Sequence, residues 1–379
     1  MARIRDIRLI PLRYEMPAAR AYGMARGLTA VRQASVVEVE SEDGITGIGE
    51  AWGPPRVVAA YLEVIRPFYL GRTLYQREHV AGEVWGRLYH LGLQNGMTAA
   101  ISGINTAIHD AIGKTLGVSV TDLLGGRGRG TIPCYASDGY LTADPERQLD
   151  RQVERFRGQG YRGCKFKIGI SPRSDAERCA LVRDLLGPDA LLMVDVNGNY
   201  TVDLALESMR RTLEIGIHFY EEPLPPQDVE GYRRLSARAP VPVAAGEALY
   251  TVSDFARLMK DRAVDLVQPD ITLVGGLDEA RKIWTLCQVH NVRYSPHVWG
   301  SAVGLAAALH FMAALPAWPH TDHEPYPRML EYDVSDNPLR DDLLLQPLVP
   351  VRGEIRVPEG PGLGIELDPE AVERYRIEL

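Results

Sequence analysis

Cysteine is scarce, four residues in 379, and Cys134, Cys164, Cys179 and Cys287 make neither a paired spacing nor a zinc pattern. A disulfide framework and a structural zinc site are thereby excluded, and reduced thiols in a cytoplasmic protein are expected. Long apolar runs are also missing. The longest, Ala302 to Trp318, is interrupted by His310 and Pro316 and opens on small residues, which predicts a buried helix, not a membrane span. The opening "MARIRDIRLIPLRYEMP" is charged throughout and has no apolar h-region, so no signal peptide is expected. No lysine and arginine run offsets a formal charge of −8 and a pI near 5.7, which argues against nucleic acid as a partner.

What is present is an ordinary globular mixture, 45% hydrophobic and 24% charged, long enough for two domains. Residues 3–13 alternate apolar and charged, as an antiparallel strand with one wet face does. "ASVVEVESEDGITGIGEAWG" reads as a hairpin turning at Ser41–Gly44. Between them, Glu15 to Arg32 reads as a loop too long for a hairpin connection. Residues 55–117 have helical period, with Ala100, Ile101, Ile104, Ala107, Ile108, Ala111 and Ile112 on one face. A glycine-rich break, "LLGGRGRG", follows at 123–130.

Beyond the break, short apolar runs alternate with amphipathic helical stretches. The runs are 134–139, 163–169, 191–198, 218–223, 241–247, 266–270, 292–297 and 329–333. Strands alternating with helices imply a parallel sheet, and eight imply a closed (β/α)₈-type barrel. The expected organisation is an α+β unit over 1–128, a barrel over 129–340, and a tail over 341–379 that packs back on the first unit.

Residues at the C-terminal ends of barrel strands share one mouth. Those ends carry Lys165 and Lys167, then Asp195 with Asn197, Glu221, Glu247, Asp270, His297 and Glu331. From Asp195 to His297 the steps are 26, 26, 23 and 27 residues, the same position in successive βα units. Three adjacent carboxylates, Asp195, Glu221 and Glu247, suit a hard cation that keeps waters, Mg²⁺ with Mn²⁺ as a substitute. An EF-hand reading of "DVNGNYTVDLALE" fails, because Tyr200 and Leu206 stand where that loop needs glycine and glutamate.

Lys165 and Lys167, two apart in "GCKFKIG", face the same way on a strand. A nearby cation and a neighbouring ammonium would lower the pKa of Lys167 and make it a general base. The plainer alternative is ion pairing with the neighbouring acids. His297 oriented by Asp270 would be a second acid/base. Singly, a histidine is more often a satisfied core or loop group, and an aspartate after proline a helix cap. Two bases flanking a metal-held carboxylate permit racemisation, or α-proton abstraction with acid-assisted loss of a β-hydroxyl.

"KFK", "VDVNGNY", "YEEP", "AAGE", "QPD", "SPH" and "LEYD" resemble the enolase superfamily, specifically its mandelate racemase subgroup. "AIHDAIGKTLGVSVTDLLGG" and "VPEGPGLGI" are similar to its connecting segments. The resemblance spans nearly the whole chain. It implies an α+β capping domain on a modified TIM barrel, (β/α)₇β, without an eighth helix. It implies Mg²⁺ on Asp195, Glu221 and Glu247, Lys167 as base tuned by Lys165, and His297 with Asp270 as the second acid/base. Glu331, with Glu324 as its rival, would hydrogen-bond the substrate carboxylate in the enediolate. Asn197 would contact substrate or cap a helix.

In such proteins capping-domain loops set the substrate. The 15–32 loop offers Tyr14, Arg20, Tyr22 and Arg26, and Trp52 follows Glu50. Arginines there suit a polar, anionic substrate unless they face solvent. The expected activity is dehydration of an aldonate or aldarate to a 2-keto-3-deoxy acid by a hydro-lyase. The alternatives are a 2-hydroxy-acid racemase or epimerase, and an inactive metal-binding scaffold. A homo-oligomer, dimer to octamer, with a small-molecule carboxylate substrate and no membrane or nucleic-acid partner completes the expectation.

Overall fold

The structure, a computed structural model, describes residues 2–379 except 143, 145–147 and 321. Its first unit is a three-stranded antiparallel sheet in the order β1 (Ile4–Glu15), β4 (Val31–Ser41), β5 (Thr46–Ala51). Between β1 and β4 lie β2 (Tyr22–Met24) and β3 (Gly27–Thr29). The loop expected at 15–32 is therefore a small hairpin, and β2 pairs with β7 (Leu141–Thr142) of the second unit. Its strands are too short to register as a strand signal, and the outer edge of β2 is paired only when β7 is brought alongside.

Helices α1 (Pro55–Tyr69), α2 (Arg77–Arg87) and α3 (Gly96–Leu116) cover the sheet, and α4 (Val120–Leu123) leads away from it. The apolar face expected on α3 is buried, but so is every other residue from Met97 to Gly113. One side packs on β5 so closely that a Cβ at Gly47 or Gly49 would stand 2.0 or 2.2 Å from a carbonyl oxygen of α3. The other side is taken by the rest of the chain. Asp110 accepts from the backbone N–H of Ile48 (2.8 Å) and of Leu363 (2.7 Å), tying sheet and tail to one helix. Each fully buried isoleucine along α3 contributes about 1.5–3 kcal/mol.

Among the described residues the second unit holds eight parallel strands: β6 (Thr131–Ser137), β8 (Gly163–Lys167), β9 (Leu191–Asp195), β10 (Ile217–Glu221), β11 (Val243–Ala245), β12 (Leu266–Val267), β13 (Arg293–Tyr294) and β14 (Leu330–Asp333). They pair in the order β13-β12-β11-β10-β9-β8-β6-β14, with β15 (Glu354–Arg356) antiparallel on β6. All eight expected runs are strands. Between β13 and β14 no ladder forms among the described residues; there Ser295 Oγ donates to the Met329 carbonyl at 2.8 Å. The intervening helices are α5 (Leu149–Phe156), α6 (Pro172–Leu186), α7 (Val202–Arg211), α8 (Val229–Ser236), α9 (Val252–Lys260), α10 (Leu277–His290) and α11 (Ala302–Ala314). After β14, among the described residues, the single turn α12 (Pro338–Asp341) stands where an eighth barrel helix would lie.

Helix α11, the long apolar run, is buried from Ala302 to Ala313 and touches the sheet of the first unit, β6 and α4. Its alanines let those elements approach from every side. No helix among the described residues is long and apolar enough to cross a membrane. The tail, ending in α13 (Pro369–Tyr375), returns to β1, where Ile377 N–H donates to the Pro11 carbonyl at 3.0 Å. Cys134, Cys164, Cys179 and Cys287 are all free and buried.

Candidate active site

Alternation along β8 sends Cys164 and Phe166 outward into the packing against the helices, and Lys165 and Lys167 inward. Both lysines are buried, at 1% and 7% exposure. Lys165 Nζ pairs with Glu221 and lies 2.7 Å from Glu331; Lys167 Nζ lies 2.5 Å from Asp195. Asp195 closes β9 and Glu221 closes β10, while Glu247 follows β11 by two residues. One oxygen from each of these three carboxylates falls within 4.8 Å of the others.

Across the mouth, His297 Nδ1 lies 2.7 Å from Asp270 Oδ2, and its Nε2 lies 3.5 Å from Glu247. The other oxygen of Asp270 accepts from Thr272 N–H (2.8 Å) and Thr272 Oγ (2.6 Å). Asp270 thus closes its own turn and orients the imidazole at once. Asn197 sits in the left-handed region (φ 49°), its Nδ2 3.1 Å from Asp195 and 3.4 Å from Glu247. Thr201, not Asn197, is the N-cap residue of α7.

Negative charge is in excess here. Burial, with repulsion from Asp195 and Glu247, pushes Glu221 well above the carboxylate range against the pull of Lys165. Burial and the same neighbours do likewise to Glu222, which is held at φ 38°. Such a backbone in a non-glycine residue costs about 1–3 kcal/mol and points to a turn held for function. Two buried acceptors have no hydrogen-bond partner among the described residues: Asn197 Oδ1, and Glu247 Oε2, which faces only the His297 ring at 3.5 Å. Clustered carboxylates with orphaned oxygens are what a divalent cation would satisfy, so the residues fit Mg²⁺.

The expected depression of Lys167 is not produced by the protein's own groups. Burial and Lys165 lower its pKa, but Asp195, Glu247 and Glu221 outweigh them and it lies above an ordinary lysine. Only further positive charge competing for Asp195 would reverse that sign. His297 is pulled down by burial but raised to about 10 by Glu247, Glu331 and Asp270, so the imidazolium persists at neutral pH. Glu331 resists burial because of Lys165 and His297 and falls to about 2. Ionised, it accepts hydrogen bonds, including one from Val298 N–H at 3.1 Å; donating one to an enediolate oxygen would require its protonation. Its rival Glu324 lines a cavity with His218 and Arg293, from the starts of β10 and β13, and pairs with Arg129 at 2.7 Å.

The lid residues divide. Trp52 stands edge-on to His297 with ring centroids 5.8 Å apart. Arg26 reaches the rim, donating to the Gly198 carbonyl at 3.0 Å. Tyr22 is buried against Tyr140 (4.9 Å), with the Arg32 guanidinium over its ring, and Arg20 is exposed in a 3₁₀ turn. Four neighbours of the site escaped the sequence reading. Tyr140 has Lys167 Nζ 5.6 Å from its ring centre and accepts from Trp299 Nε1 at 2.9 Å; Trp299 in turn packs on Trp52 at 5.5 Å. An aromatic arc therefore joins the two basic groups. Gln268 Nε2 donates to Glu221 at 2.5 Å and was legible, lying two residues before Asp270 on the inward face. Thr272 had no sequence signal.

A barrel whose strand ends carry three cation-ready carboxylates between a lysine pair and an Asp–His pair is the arrangement of the enolase superfamily. The profile for "Enolase C-terminal domain-like" matches residues 148–371 and that for "Mandelate racemase / muconate lactonizing enzyme, N-terminal domain" matches 11–125. The chain belongs to that family, in the mandelate racemase subgroup. It is 38% identical over 344 residues to a D-galactarolactone cycloisomerase of Agrobacterium fabrum, covering 90% of this chain and 91% of the relative. It is 32% identical over 384 residues to an arabinonate dehydratase of Saccharolobus solfataricus, covering 98% and 99%. The solved structure of a racemase from Streptomyces coelicolor A3(2) with bound magnesium superposes with a TM-score of 0.86 at 26% identity, covering 99% of this chain and all of that one.

Proposed function

We propose that this protein removes the α-proton of a sugar acid and expels an oxygen from the β-carbon, yielding a 2-keto-3-deoxy acid. The observation that carries the reading is the bracketing of the carboxylate triad. Lys167 touches it at Asp195 (2.5 Å), and His297 stands on the far side, 3.5 Å from Glu247. Mg²⁺ or Mn²⁺, held by Asp195, Glu221 and Glu247, would compete with Lys167 for Asp195 and favour the negative charge that develops on the substrate carboxylate.

Lys167 then accepts the α-proton, with Lys165 and Glu331 fixing its surroundings through their own ion pair. The carbanion electrons form the Cα–Cβ double bond as the β C–O bond breaks. His297, an imidazolium oriented by Asp270, delivers its proton to the departing oxygen. Where that oxygen is a free hydroxyl, water leaves and the enol product ketonises. Asn197 and Trp52 line the space where substrate would sit, and Arg26 borders it.

A second reading is favoured by the relative named as a cycloisomerase. If the departing oxygen belongs to a ring, the same two proton transfers open the ring with no change in composition. Returning the proton to the opposite face of the α-carbon would instead make a racemase or epimerase.

The deciding experiment is a screen of aldonates, aldarates and their lactones with Mg²⁺, scored by semicarbazide for 2-keto product and by mass for loss of water. A 2-keto product 18 Da lighter than its precursor supports dehydration, and one of unchanged mass supports cycloisomerisation. α-Deuterium exchange in D₂O with every hydroxyl retained would overturn both in favour of racemisation.

A further inference from the structure

At the opposite end of the barrel, the seam between β13 and β14 opens on a cavity of about 280 Å³. Its walls are aromatic. Trp284 and Trp318 meet edge to face at 6.4 Å, with Phe219 and Tyr326 among the other rings. Tyr135 and Tyr294 are 0% and 2% exposed, yet neither hydroxyl has a hydrogen-bond partner among the described residues. Arg328 lies over Trp284 at 5.1 Å and spends one nitrogen on the Pro316 carbonyl (2.9 Å), but its Nη1 is buried and unpartnered. Two buried donors without acceptors on one cavity, the Tyr294 hydroxyl and Arg328 Nη1, are expensive, at about 1–3 kcal/mol each, while the Tyr135 hydroxyl has Glu331 and Lys165 of the mouth as its charged neighbours.

The charge has the same sign. Arg129, Arg293 and Arg328 stand around this end against Glu324 and Asp265. Glu324 is shared between Arg129, the Arg328 backbone N–H and, at 3.8 Å, Arg328 Nε, which leaves Arg328 Nη1 without an acceptor. Asp265 is engaged by the Val243 N–H at 2.9 Å. His218, pushed to about 4 by burial and Arg293, adds no positive charge near neutrality, and its one free ring nitrogen is a neutral acceptor that leaves the arginines' charge uncompensated.

We infer that this cavity is a second binding site, separate from the mouth, for a small aromatic carboxylate: its ring lies among Trp284 and Trp318, and its carboxylate meets Arg328 Nη1 and the Tyr294 hydroxyl. A carboxylate is the acceptor that these donors lack, and a flat apolar body is what the indole walls accept. The inference does not depend on the reaction at the mouth.

Benzoate is a suitable probe, titrated into the full-length protein by calorimetry in EDTA, so that no metal at the mouth can hold a carboxylate. One saturable site is expected. Arg328→Met should weaken it about tenfold or more, the loss of one charge-assisted contact. Tyr294→Phe removes only an unpartnered hydroxyl, leaves the packing intact, and should also weaken binding; it decides the matter if Arg328→Met fails to fold. Lys167→Met should bind as the unaltered protein does, and neutral benzyl alcohol should bind more weakly than benzoate. No saturable heat up to the solubility of benzoate, equal binding of benzyl alcohol, or binding lost in Lys167→Met but kept in Tyr294→Phe would each overturn the site.

Discussion

Glu50, at the end of the capping sheet, accepts hydrogen bonds from Ser301, 251 residues away, through both its backbone N–H (3.0 Å) and its hydroxyl (2.6 Å). It also takes the Gly304 N–H at 2.8 Å, so a carboxylate from one unit caps the first turn of α11 in the other. One residue further on, Ala51 ends β5 and Trp52 N–H donates to the Thr272 carbonyl at 2.8 Å. Thr272 braces Asp270, Asp270 holds His297, and the Trp52 ring lies against the same imidazole. The docking of the two units and the aiming of the His297 imidazole share these contacts.

Replacing Glu50 with glutamine should therefore destabilise the protein. An amide N–H₂ cannot accept from Ser301 or Gly304, and a misplaced buried polar group costs about 1–3 kcal/mol. Urea denaturation of Glu50→Gln beside the unaltered protein measures this. An unchanged midpoint would refute the docking role.

Lys167→Ala should lower kcat about 10²–10⁴-fold, the usual contribution of a positioned base. Circular dichroism and gel filtration should show the fold retained, since Asp195 keeps its bonds from Asn197 N–H and Nδ2. Turnover within tenfold of normal would exclude Lys167 as the base.

His297→Asn separates the two proton transfers. Elimination should fall by about 10²–10⁴-fold for loss of the acid. Exchange of the substrate α-proton with D₂O should persist, because Lys167 remains. Loss of both together would mean that His297 is itself the α-base.

Metal dependence has a stability readout besides activity. With Mg²⁺ at 100 times its Kd, unfolding should be opposed by about 2.7 kcal/mol. Differential scanning with and without EDTA detects this, and Glu247→Gln should abolish most of the shift. An identical response in Glu247→Gln would remove Glu247 from the ligand set.

His310 should make the protein acid-sensitive. Burial and the nearby Arg127 push its pKa to about 4, against the Leu363 carbonyl that Nε2 meets at 2.9 Å. Nδ1 lies 2.7 Å from the Thr121 hydroxyl and accepts from Thr121 N–H at 3.3 Å, a place an imidazolium N–H cannot fill. An unfolded histidine takes its proton near 6.5 and the folded one refuses it until about 4, so stability present above 6.5 is lost between those values as pH falls. The loss is about 3 kcal/mol at most. Denaturation midpoints from pH 7 to 4.5 should fall less steeply in His310→Gln, and parallel slopes would contradict this origin.

Much of the site was readable because a strand repeats every two residues and a βα unit every few tens. Lys165 and Lys167 had to share a face, and evenly spaced acids had to reach one rim. What could not be read were contacts set by approach of distant segments. The hairpin inside residues 15–32 is stabilised by β7, more than a hundred residues on, and nothing local distinguishes it from a loop. The ion pair that holds Lys167 above an ordinary lysine until a cation competes for Asp195 was hidden for a similar reason. The neighbouring lysine is visible in sequence, whereas the 2.5 Å approach of Asp195 that outweighs it is not.

Hydrophobic period and residue type alone thus determined a strand-and-helix barrel, a cap, and an inventory of carboxylates, lysines and a histidine at one mouth. Only the tertiary structure decided which acid meets which base, that Glu331 joins Lys165 while Glu324 lies at the other end with Arg129, and that Trp52 turns its edge to His297. Periodicity is a property of the backbone and is written locally. Charge pairing and burial depend on distances between residues hundreds of positions apart, and exist only once the barrel has closed and the cap has docked on it.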